Sequence, residues 1–97
     1  MSTIAENALK AGIPDYMVGG IERWIEHGIY PGDFLTAVIE NDLREACGRA
    51  DDTNQKLLYQ YVSFFYNHAP SRCWGSPEKC EAWSNEKTAT LREAAAT

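Results

Sequence analysis

The sequence predicts an all-α fold, a compact single-domain bundle of four to five short helices. Three observations carry that expectation. Apolar residues recur at helical spacing along most of the chain. Glycines, prolines and small polar residues fall where helices start and stop. No segment alternates apolar and polar residues between hairpin turns, as a half-buried strand would.

The elements follow in order. Thr3-Ile-Ala-Glu6 has the form of a capping box, and Ile4, Ala5, Ala8 and Leu9 continue at helical spacing until Gly12, a left-handed stop. Pro14 is suited to open a second helix, because its missing N–H is not needed there. Met17, Ile21, Trp24 and Ile25 give that helix its apolar stripe, and Gly28 ends it. Tyr30-Pro31-Gly32-Asp33 reads as a tight turn with Asp33 as the next cap. The third stripe runs through Phe34, Leu35, Val38, Ile39, Leu43, Ala46 and Cys47 to Gly48. Asn41 and Asp42 interrupt it with weak helix formers, and their apolar neighbours place them near the core boundary, where polar groups need partners. The Trp74-Gly75-Ser76 segment is the partner expected for them, and the alternative is that they line a ligand pocket under that loop.

Asp51, Asp52 and Thr53 offer caps for a fourth helix with the stripe Leu57, Leu58, Tyr61, Val62 and Phe65, ending before Pro70. A loop over residues 69–75 leads to Ser76-Pro77-Glu78, a strong helix start, with Cys80 and Trp83 facing inward from the last helix. The expected domain is 1–87, with 88–97 as a frayed tail of little apolar anchoring.

Composition narrows the function. The chain has 97 residues and a formal charge of −5, with nine Lys plus Arg against fourteen Asp plus Glu. That balance argues against a nucleic-acid polymer or an anionic membrane surface as partner, since both need neutralising cations. No apolar run is long enough for a membrane span, and the start lacks the basic and apolar regions of a signal peptide, so a cytoplasmic protein is expected. Three cysteines, Cys47, Cys73 and Cys80, are too few and odd in number for a disulfide framework. His68, Cys73 and Cys80 lack a paired Cys-x2-Cys element, so ordinary thiols are expected and no metal or other cofactor. No supporting motif surrounds His68 and Cys73, so no catalytic residue is assigned and no enzyme is expected.

The charge is uneven. Residues 1–52 carry ten acids and four bases, a net of −6, and residues 53–97 carry four acids and five bases, a net of +1. Residues 53–77 hold no acid but six of the eleven aromatics, with Lys56 and Arg72. Tyr59, Tyr61, Phe64, Phe65 and Tyr66 span more of a helix than one core stripe requires. Core filling, a subunit interface and a stacking platform for a small phosphate-bearing ligand all account for them. The candidate ligand-binding residues are Asn41, Asp42, Asn54, Tyr59, Tyr66, Arg72, Trp74 and Ser76. A chain this short has little room for a deep cavity, so a pocket shared within a homo-oligomer is expected.

Pro31-Gly-Asp-Phe-Leu-Thr-Ala-Val-Ile-Glu-Asn-Asp-Leu43, Ala50-Asp-Asp-Thr-Asn54, and Tyr66-Asn-His-Ala-Pro70 followed by Cys73-Trp-Gly-Ser-Pro-Glu78 together resemble a group of small proteins of tailed bacteriophages and prophages. The resemblance spans about residues 13–83 and includes Asn41, Asp42, Asp51, Asn54, Trp74 and Ser76. It brings no assigned activity. It implies a host bacterial cytoplasm and action by binding rather than catalysis. The role expected in that setting is sequestering a nucleotide-derived immune signal of the host; the alternative, a second role, is inhibiting a host defence complex, as anti-CRISPR proteins do. The acidic first half, with Glu22, Glu26, Glu40 and Glu45, suits the second role.

Overall fold

The computed structural model describes residues 3–96, and the side-chain surroundings of residues 3–90. Within them the chain is all-helical, with no strand. Seven α-helices replace the four to five expected: α1 (Thr3–Lys10), α2 (Asp15–His27), α3 (Asp33–Ile39), α4 (Leu43–Arg49), α5 (Asp52–Gln55), α6 (Leu58–His68) and α7 (Pro77–Ala96). A 3₁₀ turn, Ser71–Cys73, precedes α7. The frayed tail expected over residues 88–97 falls largely outside the described side chains, and the backbone of α7 runs on to Ala96.

The added helices come from two breaks inside expected single helices. Asn41 adopts φ 63°, the left-handed region that Asn enters more readily than most side chains. It separates α3 from α4, and the Asp42 carboxylate then caps α4 by accepting from the Glu45 amide at 3.1 Å. The second break lies at Lys56 and Leu57, after a one-turn α5 whose cap, Asp51, accepts from the Asn54 amide at 2.7 Å. One stop and one start differ from expectation. Gly48 lies inside α4, which runs to Arg49, and Gly32 rather than Asp33 occupies the cap position of α3. Gly12 and Gly28 do take left-handed stops, with φ of 95° and 66°.

The core is built around Trp24, Tyr61, Phe64 and Phe65, each at most 1% exposed. The indole N–H groups of the core are paired, as burial requires, while the buried Gln60 Oε1 takes no hydrogen bond among the described residues. The Trp24 indole N–H donates to the Cys73 carbonyl at 2.9 Å, and the Trp83 indole N–H to the Trp24 carbonyl at 3.1 Å. The Ser84 hydroxyl donates to the Gly28 carbonyl at 2.8 Å. A Cβ on Gly28 would stand 2.8 Å from the Lys87 Cβ and 3.0 Å from the Ser84 Cα, so a glycine lets α7 approach the end of α2 this closely. The loop before α7 is tied to α3, because the Gly75 amide donates to the Ile39 carbonyl at 2.7 Å. No helix among the described residues is long and apolar enough to cross a membrane.

Candidate functional site

The left-handed turn at Asn41 sets up a surface groove. By kinking the chain between α3 and α4 it leaves Ala37 and Val38 at the floor, with Leu43 and Ala46 on one wall. The other wall is α6, through Leu58, Tyr59 and Val62. The groove has a volume of about 300 Å³ and a predominantly apolar lining. Its rim side chains are open to solvent: Leu43 is 69% exposed, Tyr59 79% and Val62 46%. Leu43 and Val62 belong to the expected core stripes, and both lie outside the core. Once the helices break at Asn41 and Lys56, the residues that follow rotate away from the line of a continuous stripe.

A second depression lies beside the first, along α3 and α4. It is lined by Asp33, Glu40, Asp42 and Glu45 with a single base, Arg49. Arg49 is already engaged, 3.6 Å from Asp33 and 3.3 Å from Glu45. Four carboxylates against one guanidinium leave a formal charge of −3 in this cleft (4 − 1). The apolar groove and the acidic cleft share Ala37 and Asp42, so the two form one continuous surface.

The eight candidate residues do not converge. Asn41, Asp42 and Tyr59 line the groove, and Tyr66 stands exposed two turns beyond Tyr59 on α6. Asn41 and Asp42 are themselves exposed, contrary to the expected placement at the core boundary. The contact expected between them and the 74–76 loop is made by the Ile39 carbonyl instead, which also accepts from the Cys80 thiol at 3.4 Å. Asn54 is 3% exposed and structural: its Oδ1 accepts from the Tyr61 hydroxyl at 2.7 Å. Asp51 links that bond to the surface by also accepting from the Tyr16 hydroxyl at 2.8 Å. The Asn54 amide and the Tyr16 hydroxyl hold the Asp51 carboxyl below the usual range.

The remaining three residues sit near the start of α7. Ser76 caps that helix, accepting from the Lys79 amide at 3.1 Å. Trp74 is half-buried against Phe65, with ring centroids 5.9 Å apart. Arg72 pairs with Glu86 and lies 5.7 Å from the centre of the Trp83 ring, while the Lys87 ammonium lies 4.7 Å from it. Arg72, Lys79, Trp83 and Glu86 line a separate depression of about 410 Å³.

The two buried thiols, Cys73 and Cys80, are held protonated. Burial pushes the Cys73 thiol up to about 11 and, with the charge of Glu40 adding to it, the Cys80 thiol up to about 12. Both are neutral near pH 7, so neither is activated as a nucleophile. No group of three or more His, Cys, Asp or Glu among the described residues is placed to hold a metal ion. No family model, curated protein or solved structure matches this chain.

Proposed function

We propose that this chain acts without catalysis, by docking a basic amphipathic helix of a protein partner on the surface either side of Asp42. The observation that carries this reading is the continuity of the apolar groove with the acidic cleft. An amphipathic helix lays apolar side chains into a groove, and cations on its flank meet the net charge of the cleft. The resemblance to small phage proteins supports a partner among the components of a host defence complex, met in a host cytoplasm. The acidic residues used in this version are Glu40 and Glu45, which line the cleft; Glu22 and Glu26 lie on α2 and line neither depression.

Two synthetic helical peptides with the same apolar face test the reading, one flanked by lysines and the other by glutamates. Fluorescence anisotropy is expected to show at least about tenfold tighter binding of the lysine peptide, with affinity falling as salt rises. Equal affinity for the two peptides, or no binding of either, overturns it.

The second reading is a nucleotide-derived ligand, sequestered near the start of α7. It rests on the depression where Lys79 and Arg72, the latter paired with Glu86, lie beside Trp83. A thermal-shift series with cyclic dinucleotides and ADP-ribose is the check, since a ligand bound only by the folded state raises Tm.

A further inference from the structure

Two glycines, Gly19 and Gly20, stand side by side in the middle of α2, where alanine would hold a helix better. Gly19 has a local use. A Cβ there would stand 3.1 Å from Arg23 Nη1, so its absence lets the guanidinium lie against the helix. Gly20 has no such use. A Cβ there would meet Leu35 Cδ1 at 3.6 Å and Pro31 Cβ at 3.8 Å, ordinary contacts that folding tolerates. What the missing side chain leaves open is a depression of about 270 Å³ between α2 and the 29–32 turn. Tyr16, Gly20 and Arg23 fall at i, i+4 and i+7, so one face of α2 forms its wall. Tyr30 from the turn and Leu35 from α3 stand opposite.

We infer that this depression binds a small aromatic anion, a single ring carrying a carboxylate or a phosphate. Among the described residues Arg23 is the one charged side chain lining it, and it forms no ion pair. A planar guanidinium matches the oxygens of a carboxylate or phosphate with two parallel N–H donors. The two tyrosines supply aromatic surface for the ring. Both are held from outside the depression. Tyr16 donates its hydroxyl to Asp51 at 2.8 Å, and the Tyr30 ring lies 4.9 Å from that of Trp24. Binding therefore does not have to order them. Two acids set the direction in which the ligand lies. Asp33 and Asp51 line the adjoining depression, which shares Met17, Gly32 and Leu35 with this one but not Arg23. An anionic group is drawn to Arg23 and away from those carboxylates. The site shares no residue with the groove beside Asp42 or with the depression at the start of α7, so it stands independently of both readings above.

Amide chemical shifts, followed by NMR as benzoate or phenyl phosphate is added to about 10 mM, test the site. Saturating shifts are expected at Gly20, Arg23, Tyr30 and Gly32, and the tighter of the two ligands names the anionic group. Benzylamine has the ring with the opposite charge, and acetate has the charge without the ring. Each is expected to bind at least about tenfold more weakly than benzoate, and Arg23→Gln to weaken benzoate by a similar factor. Gly20→Ala separates the site from the fold. Its methyl enters the depression, so benzoate affinity is expected to fall while Tm rises with the better helix former. No saturating shift with either aromatic anion overturns the inference, as do shifts centred on other residues or benzylamine binding as tightly as benzoate. So does a Gly20→Ala variant that keeps full affinity. A Gly20→Ala variant with a lower Tm assigns the glycine to packing and overturns it too.

Discussion

The two sides of α6 have nearly the same chemistry and opposite fates. Tyr61, Phe64 and Phe65 point inward and are almost fully buried, while Tyr59, Val62 and Tyr66 point outward and are largely open. Tyr61 makes an edge-on contact with Phe34, its ring centroid 5.1 Å away, and donates its hydroxyl to Asn54. Tyr66, five residues later, stands 78% exposed. The lesson is that an aromatic-rich helix in a small domain carries more apolar area than one core face takes up. One face supplies the apolar area that a short chain needs for its core. The other stands open to solvent.

Substitutions sharpen this contrast in order of size. The largest effect is expected from Trp24→Ala, in the same core as the inner face. It removes a fully buried indole and its bond to the Cys73 carbonyl, and is expected to cost about 3–5 kcal/mol in chemical denaturation. Tyr61→Phe keeps the ring and deletes the hydroxyl that Asn54 accepts from, leaving a buried carbonyl oxygen without its donor. Its expected cost is about 1–2 kcal/mol.

Asp51→Asn acts at the rim of the same network and is read through pH. The folded state lowers the Asp51 pKa, chiefly because the carboxylate accepts from the Asn54 amide. The charged form is therefore the stabilising one. Its contribution is present above the unfolded value near 3.8 and is lost as pH falls through the lower folded value. Wild type and Asp51→Asn are expected to differ most in Tm at neutral pH and to converge as pH falls below that window. A difference that persists undiminished at the acid end would assign the effect to something other than this titration.

The smallest effect on stability belongs to the outer face. Tyr59→Ser and Tyr66→Ser are each expected to change stability by no more than about 0.5 kcal/mol. A large loss of stability from either would erase the distinction between the two sides.

Much of this architecture is legible in the sequence. The stripe of α2, the stops at Gly12 and Gly28 and the cap at Ser76 are local events, governed by the backbone and the next few residues. The inward placement of Cys80 and Trp83 follows from the same spacing. The break at Asn41 also had a local sign, an Asn tolerant of positive φ followed by a capping Asp, but the apolar stripe running through both concealed it. That break decides the site. It turns Leu43 outward and opens the groove beside Ala37 and Val38.

By itself the sequence determined the all-helical class, the uneven charge and the excess of aromatics on α6, because these depend on composition and short-range periodicity. Only the tertiary structure decided which aromatics are surplus and which polar residues are structural. Asn54 and Asn41 carry the same side chain, yet one is sealed beneath Tyr61 and the other bends the chain at the surface. Burial depends on what distant segments bring to each face, here Phe34 against Tyr61 on the inner side of α6 and an open groove beside Tyr59 and Val62. Spacing along one helix holds no record of that.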